Sequence, residues 1–243
     1  MPRNPRCVQP GLAYHVTQRG TNHAKVFFKP SDHRLYLSLL HENLADSQVR
    51  ILAYCLMTNH VHLVAVPDRE DSLAVLLRRA HGRYAQYLNT RRGRSGHLWQ
   101  ARYYSCPLSP RHQWSAIRYV EQNPCRALMS GAPEQYPWSS AASHLTGESD
   151  ASGLLDLTFW RETGGVQAWR EMHGETDSPG RLTLLRRCTY SGRPFGEAPF
   201  IEGLENQFGR VWRRWGYEKL DGVGLEAGNT QKVRKSRIRL SPS

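Results

Sequence analysis

The sequence predicts an α+β fold, a ferredoxin-like split-βαβ sandwich with a four-stranded antiparallel sheet, followed by a C-terminal, mostly helical accessory region. Two observations lead to this prediction. Segments with strand and helix periodicity follow one another in the order β-α-β-β-α-β, and a further helix comes next. Near residue 146 the composition then changes to a small, polar stretch typical of a domain margin. At 243 residues the chain can build one good-sized domain and a smaller appendage.

The first half of this pattern predicts a strand, a helix and a pair of strands. Apolar and polar residues alternate over residues 12–18, which predicts the first strand. Leucines recur at helical spacing over residues 32–44, so we expect a helix there. Residues 49–57 and 60–66 are rich in β-forming side chains and are separated by a short turn, which predicts the second and third strands.

The second half predicts a basic helix, a strand and another helix. Residues 72–88 form an amphipathic pattern whose arginines lie off the apolar face, and a cationic loop follows at 91–96. Residues 98–107 predict the fourth strand. A serine–proline pair opens residues 109–123, where it supplies an N-cap and a first helical residue. We expect helices on one face of the sheet and a basic open face that can hold single-stranded nucleic acid.

The chain divides into three predicted segments. Residues 1–145 form the main domain, and residues 146–222 form the accessory region, which is rich in aromatic side chains. Residues 223–243 have few apolar residues and a cluster of lysine and arginine, so we expect a flexible basic tail.

The charge balance favours a polyanionic partner. The chain has 33 Lys and Arg against 21 Asp and Glu, a formal net charge of +12. Such an excess favours binding to a polyanion, because basic side chains neutralise its phosphates and release its counterions. Arginine dominates it, and the planar guanidinium suits phosphate and guanine better than an ammonium does, so nucleic acid is favoured over a plain membrane surface. The alternative is a generic basic surface on an enzyme.

The remaining bulk features predict a cytoplasmic, nucleoid-associated protein with no membrane partner. The N-terminus lacks the apolar stretch of a signal peptide, and no apolar run approaches membrane-spanning length. The five cysteines have no CxxC spacing, which indicates reduced thiols and not a disulfide framework or a zinc knuckle. Monomer and homodimer both stay open.

His60 and His62, separated only by Val61, are the most informative pair in the sequence. Side chains alternate along a strand, so the two imidazoles point the same way and can share one metal ion. The surrounding residues predict a buried strand, where an unpaired imidazole would be costly. The plain alternative is that one histidine is a hydrogen-bonded core residue and the other faces a polar neighbour. The pair therefore needs a partner elsewhere in the chain.

Tyr119 and Asn123 are the candidate partners. They are four residues apart on the last predicted helix of the main domain and would share a face. Asn123 would be a third ligand of a hard divalent ion, Mg²⁺ or Mn²⁺, and the ion would polarise a phosphate while the tyrosine oxygen attacks it. The alternatives are a packing role for Tyr119 and a helix-end role for Asn123. The competing nucleophiles are Tyr84, Tyr87, Tyr103 and Tyr104.

Four motifs follow one another in the sequence: Met57-Thr58-Asn59-His60-Val61-His62, Leu98-Trp99-Gln100-Ala101-Arg102-Tyr103, Tyr119-Val120-Glu121-Gln122-Asn123-Pro124 and Tyr136-Pro137-Trp138-Ser139-Ser140. In this order and spacing they resemble the REP-associated tyrosine transposases, which belong to the single-tyrosine HUH endonucleases. The resemblance covers roughly residues 10–145, and residues 187–189 and 192–201 also look like the family's longer variants.

The resemblance implies a ferredoxin-like catalytic domain over residues 1–145, a divalent metal, and cleavage of single-stranded DNA. The family forms a 5′-phosphotyrosine intermediate and leaves a free 3′-hydroxyl. Its nucleophile corresponds to Tyr119, its metal-binding histidines to His60 and His62, and its third ligand, which varies within the family, to Asn123. The expected partner is hairpin-forming, repetitive extragenic palindromic DNA.

A set of cationic and aromatic residues is predicted to bind this DNA. The arginines would neutralise phosphates and the aromatic rings would stack on bases. A solvated charged face is the alternative for each arginine alone, and the accessory region is expected to contact DNA as well. The predicted contacts are Arg19, Arg78, Arg79, Arg83, Arg91, Arg92, Arg94, Trp99, Arg102 and Tyr103, among which Arg19 lies in a segment that resembles a family turn near the DNA.

Two other functions compete with the strand transferase. The first is a non-catalytic nucleic-acid-binding regulator on the same fold, which would bind in a salt-sensitive way and be indifferent to chelators. The second is a metal-dependent phosphodiesterase that uses activated water, for which loss of Tyr119 would leave cleavage intact.

Overall fold

The computed structural model of the protein describes residues 6–175 and 178–212. It contains one four-stranded sheet with strand order β2-β3-β1-β4, in which all neighbouring strands are antiparallel. The strands are β1 (Tyr14–Arg19), β2 (Val49–Met57), β3 (His60–Pro67) and β4 (Tyr104–Pro107). This order is that of a split-βαβ sandwich, so the predicted fold class is confirmed.

Helices make up most of the remaining described chain. Those before residue 130 belong to the sandwich, and those after residue 140 form the largely helical C-terminal part that the sequence predicted. The helices are α1 (Pro30–His41), α2 (Leu44–Ser47), α3 (Ser72–Arg91), α4 (Gln113–Glu121), α5 (Asn123–Arg126), α6 (Ala141–Thr146), α7 (Thr158–Glu162), α8 (Gly165–Gly174), α9 (Pro179–Ser191) and α10 (Ala198–Phe208).

The fourth strand is shorter than predicted. It was expected over residues 98–107, but only Tyr104–Pro107 pairs with β1. Upstream, Trp99 forms one isolated bridge to Gly20, and its indole Nε1 donates to the carbonyl of His81 on α3 at 3.2 Å. The backbone N–H of Gln100 donates to the carbonyl of Arg19 at 2.9 Å. This segment therefore touches the end of β1 without extending β4, while the ring of Trp99 packs against the helical layer.

Each face of the sheet is covered by its own helices. Val61, Leu63 and Ala65 of β3 point into a core shared with α1 and α3. Val64 and Val66 point to the other face, into a core shared with α4, α8 and α9. The prediction of a basic open face was wrong, because side chains such as Ile117, Trp169 and Leu185 cover that face.

The last helix of the main domain is interrupted. It was expected to continue to residue 123, but α4 ends at Glu121 and α5 begins at Asn123. Pro124 has no N–H to give to the carbonyl of Val120, and the Nδ2 of Asn123 donates to that carbonyl instead, at 3.3 Å. The guanidinium of Arg126 donates to the carbonyl of Tyr119. Side chains thus replace the missing helical bonds at the break.

Two segments between the C-terminal helices pair with opposite edges of the sheet. Leu155 forms a parallel bridge with Ile51 of β2, and Phe195 forms one with Leu108 just after β4. The predicted basic tail, 223–243, lies outside the described residues. Within the described part of the chain, no helix is long and apolar enough to cross a membrane.

Candidate active site

His60 and His62 lie on one face of β3, as the strand periodicity predicted. Their ring centroids are 4.9 Å apart and the rings are nearly perpendicular, at 80°. His62 is 5% exposed and His60 is half-buried. The pair occupies the sheet face that α4 and α9 cover, at the end of the strand next to the turn from β2.

Both imidazoles are held in the neutral form. Burial lowers the pKa of His60 to about 4, and the charge of Arg19 and the neighbouring His23 add to the effect. Burial, followed by His60 and His15, lowers the pKa of His62 well below its ordinary value. A neutral imidazole keeps one lone pair for a metal ion, so both side chains have the protonation state that a ligand requires.

The hydrogen bond of His60 identifies which of its nitrogens is free. Its Nδ1 lies 2.6 Å from the Oδ1 of Asn59, and the Nδ2 of the same asparagine donates to the carbonyl of His23 at 3.0 Å. The Asn59 amide is thereby oriented with its oxygen toward the imidazole, which must donate from Nδ1. The lone pair of His60 is therefore on Nε2, which makes no hydrogen bond within the described residues.

Tyr119 lies against this pair from α4. Its ring centroid is 5.7 Å from that of His62, edge to face, and the side chain is only 4% exposed. The Nε of Arg186, from α9, donates to the phenolic oxygen at 3.2 Å. The guanidinium of Arg126 lies over the ring, 4.6 Å from its centroid. The phenol is thus set between a histidine and two guanidinium groups.

Asn123 starts the helix after the break and is 8% exposed. Its Nδ2 donates to the carbonyl of Val120, which leaves Oδ1 as the group that an ion would use. Because α4 and α5 are separate, the helical spacing from Tyr119 does not by itself define where the amide points.

Arg19 is the predicted DNA contact that lies beside the histidines. It ends β1 and pairs with His60 in the β1–β3 register. Its Nε is buried and has no hydrogen-bond partner among the described residues. A buried guanidinium donor without a partner next to the histidine pair is suited to an anionic ligand such as a phosphate.

The arginines of α3 lie on the opposite side of the sheet, because the buried face of α3 packs on the core that excludes the histidines. Two of them are engaged with acids: Arg79 with Asp46 at 2.9 Å, and Arg83 with Glu42 at 2.6 Å. Arg78 is exposed on the same helix.

The cationic segment at the end of α3 and just beyond it is anchored in a similar way. Arg91 forms an ion pair with the buried carboxylate of Asp32. The guanidinium of Arg92 lies 3.9 Å from the centroid of the Phe28 ring, and Arg94 is exposed. Structure therefore brings Arg19 to the histidines but places the α3 and loop arginines elsewhere.

The remaining predicted contacts divide between two places. Trp99 packs with the rings of Tyr36 and His81 in the helical layer. Arg102 and Tyr103 line a cavity of about 380 Å³ beside the outer edge of β4. The cavity is also lined by Arg6, Tyr104, Thr189, Tyr190 and Arg210.

Sequence reasoning missed four residues of the site: His15, Arg126, Arg186 and Thr189. The Nε2 of His15 lies 2.9 Å from the Nδ1 of His62, and its Nδ1 lies 2.7 Å from the Oγ1 of Thr189. The alternation in the first strand put His15 on its polar face, which was a usable signal. Arg186 and Thr189 lie on a C-terminal helix, and nothing in their local sequence connects them to the histidines.

The residues present fit part of a metal site. His60 offers Nε2, and the neutral His62 has one imidazole nitrogen that is not bonded to His15. Among the described residues, no group of three or more His, Cys, Asp or Glu side chains is arranged to hold a metal ion. A divalent ion bound here would need further oxygen ligands, from an amide, water or a phosphate, which is the ligand type that Mg²⁺ and Mn²⁺ prefer.

Part of the chain matches a known protein family. Residues 8–123 match the family model of IS200-like transposases. A solved structure of a REP-associated tyrosine transposase bound to a REP hairpin is similar in fold, with 15% identity, a TM-score of 0.53, and coverage of 74% of this chain and 96% of the other.

A second structure, of a candidate transposase from Deinococcus radiodurans R1, has 17% identity and a TM-score of 0.35, which supports no conclusion; it covers 50% of this chain and 97% of the other. No curated protein matches the sequence. The matched residues, just under half of the chain, include the whole sheet, the histidine pair and Tyr119, and this part of the chain is similar to the IS200-like transposases.

Proposed function

We propose that the protein is a metal-dependent single-stranded DNA endonuclease and strand transferase that acts on hairpin-forming palindromic DNA through Tyr119. The observation that supports this most directly is the position of the Tyr119 ring, 5.7 Å from that of His62 and bonded to Arg186. A buried phenol needs a hydrogen-bond partner in any case, and here that partner is a cationic side chain, which could also contact the phosphate under attack.

In the proposed reaction the phenolic oxygen of Tyr119 attacks a phosphorus of the DNA. The phenol gives its proton to solvent as the Tyr119 O–P bond forms and the P–O3′ bond breaks. The leaving oxygen takes up a proton from solvent and becomes a free 3′-hydroxyl. A 5′-phosphotyrosine remains, and attack by a second 3′-hydroxyl reverses the step and joins two strands. Arg186 would lower the cost of forming the phenolate, and Arg19 would neutralise the scissile phosphate.

His60 and His62, with Asn123 as the proposed third ligand, would hold a divalent ion, Mg²⁺ or Mn²⁺. When bound, such an ion polarises a phosphate oxygen and stabilises charge that develops during displacement. The low pKa values of the two imidazoles support this role, since ligands must be unprotonated.

The cavity beside β4 supports a single-stranded substrate. Arginine and tyrosine side chains together suit an unpaired nucleotide, whose phosphate needs cations and whose base needs an aromatic surface. Thr189 and Tyr190 of α9 line this cavity, and Arg186 of the same helix reaches Tyr119. One strand of DNA could therefore run along α9 from the phenol to the cavity.

The hairpin itself is suggested by the REP-associated relative, which is bound to one. In this proposal residues 1–145 form the catalytic unit, and the accessory region, 146–222, contributes Arg186 and part of the cavity. A protein that acts on chromosomal single strands would work at the nucleoid, in the cytoplasm, as a monomer or a homodimer.

The proposal is tested by incubating the protein with a labelled hairpin oligonucleotide that carries a single-stranded 5′ flank, in the presence of Mn²⁺. A covalent protein–DNA adduct should appear on a denaturing gel, vanish in Tyr119→Phe, and persist in the matched variant Tyr87→Phe. If no adduct forms and Tyr119→Phe still cleaves the DNA, the protein would instead be a phosphodiesterase that activates water.

The second candidate function is a non-catalytic nucleic-acid-binding regulator. The net charge of +12 and the arginine-lined cavity favour it equally. It predicts hairpin binding that is salt-sensitive, unaffected by EDTA and unaffected by loss of His60 and His62, with no adduct under any condition.

A further inference from the structure

A chain of hydrogen bonds runs from α9 to the histidine pair. The Oγ1 of Thr189 donates to the carbonyl of Leu185 at 2.8 Å, within its own helix. The Nδ1 of His15 lies 2.7 Å from that same Oγ1, and the Nε2 of His15 lies 2.9 Å from the Nδ1 of His62. The two imidazole planes differ by only 7°.

The direction of each hydrogen bond follows from the bond at the Thr189 end of this series. Thr189 has one hydroxyl proton, and the carbonyl of Leu185 can only accept, so that proton is directed to Leu185. The oxygen of Thr189 must then accept from the Nδ1–H of His15. His15 is 1% exposed, and among the described residues only the side chains of Thr189 and His62 form hydrogen bonds with it. Neither is an acid that could offset a positive charge on the buried imidazole, so His15 is neutral.

A neutral His15 that donates from Nδ1 carries its lone pair on Nε2. His62 must therefore donate to it from Nδ1, and its own lone pair is left on Nε2. That is the same nitrogen that the Asn59 contact leaves free on His60. Both members of the pair thus present the same ring nitrogen to one ligand.

We propose that His15 and Thr189 are positioning residues that fix the tautomer and orientation of His62, so that the lone pair on its Nε2 is available to a metal ion. This inference rests on the proposed metal-binding role of His60 and His62. It assigns a task to a residue of β1 and to a residue of the C-terminal α9, neither of which would be a ligand of the ion.

The arrangement explains why a buried histidine is placed beside another. Metal-binding histidines generally donate their second N–H to a carboxylate, a carbonyl or water, and removing such a partner weakens metal binding by about 10- to 100-fold. Here a neutral imidazole accepts that bond, and Thr189 orients the acceptor. Cys106, whose Sγ lies 3.3 Å from the Oγ1 of Thr189, can donate to the same oxygen without changing the direction of the other bonds.

The test compares His15→Leu, which removes the acceptor, with His15→Gln, whose amide oxygen can replace the Nε2 of His15. Mn²⁺ affinity is measured on the full chain by isothermal titration without DNA, and the protonation of His62 is measured by NMR of the imidazole nitrogens. We expect His15→Leu to weaken Mn²⁺ binding by about 10- to 100-fold and to change the tautomer of His62, and His15→Gln to recover most of both.

The control is His81→Gln, which alters a buried histidine in the helical layer of the other sheet face, where it bonds to Tyr36 at 2.8 Å. It should leave Mn²⁺ affinity unchanged. Equal Mn²⁺ affinity and an unchanged His62 tautomer in His15→Leu would overturn the inference. A wild-type protein that binds no Mn²⁺ would instead contradict the proposed metal site, and the NMR measurement would still decide whether His15 sets the tautomer.

Discussion

The Nε of Arg186 donates to the phenolic oxygen of Tyr119 across 3.2 Å, although the two residues are 67 positions apart in the sequence. Tyr119 lies in the segment that carries the family match, while Arg186 lies on α9, beyond it. The C-terminal helices are therefore part of the environment of the phenol and not only an appendage to the sandwich.

We predict that Arg186→Ala slows formation of the covalent adduct by about 100-fold, because one charged donor at the reacting oxygen is lost. Hairpin binding should change little. The rate of adduct formation with saturating DNA and Mn²⁺ measures the effect. The neighbouring Arg187→Ala is the matched control, since Arg187 is exposed on the same helix. Equal rates for both variants would remove Arg186 from the mechanism.

Removal of the metal ion should abolish DNA cleavage and leave DNA binding largely intact. His60→Ala and excess EDTA should each abolish the adduct, because the two treatments remove the same ion. Hairpin affinity, measured by fluorescence anisotropy, should stay within about threefold, since arginines supply most of the phosphate contacts. An adduct that resists EDTA would contradict a metal-dependent reaction.

Arg19 and Arg83 should differ in their effect on DNA binding. Arg19 lies beside the histidines with a buried, unpartnered Nε, whereas Arg83 is paired with Glu42 on the opposite side of the sheet. Arg19→Ala should weaken hairpin binding and reduce the slope of log affinity against log salt by about 1, the value for one phosphate contact. Arg83→Ala should leave both unchanged. The same slope change in both variants would mean that the DNA also covers α3.

Glu121 should stabilise the packing of α4 against the C-terminal helices. Its carboxylate is fully buried and accepts from His144 Nδ1 at 2.6 Å, Trp169 Nε1 at 2.7 Å and His173 Nε2 at 3.1 Å, as well as from the hydroxyl of Ser140. Glu121→Gln should lower the free energy of unfolding by about 3 kcal/mol at pH 7, because a charged acceptor of these donors is lost. Urea unfolding measures this, with Glu148→Gln, at an exposed position, as the control.

The same carboxylate predicts a pH dependence. Burial alone would raise the pKa of Glu121, but His144 and His173 outweigh burial and hold the pKa well below its ordinary value of 4.5. A group whose pKa is lowered on folding stabilises the protein fully above its unfolded value and loses that contribution as the pH falls below it. Wild-type stability should therefore decline more steeply than that of Glu121→Gln below pH 4.5. Parallel curves would contradict the prediction.

Much of the sandwich follows from local sequence. The second strand was predicted with its observed ends, and the third ends one residue later, because runs of β-formers stop at a turn and at Pro67. The fourth strand was predicted too long, because Trp99 packs with α3 and no local sequence pattern reveals that contact. The second face was predicted to be open because its covering helices come from distant parts of the chain.

In the site, the shared face of His60 and His62 follows from local sequence, because the period of a strand is two residues. Tyr119 was identified through the resemblance. The positions of His15, Thr189 and Arg186 beside them depend on long-range packing, because β1 pairs with β3 in one register and α9 packs over that face. Spacing along the chain fixes which side chains share an element, whereas the neighbours across elements depend on how those elements pack.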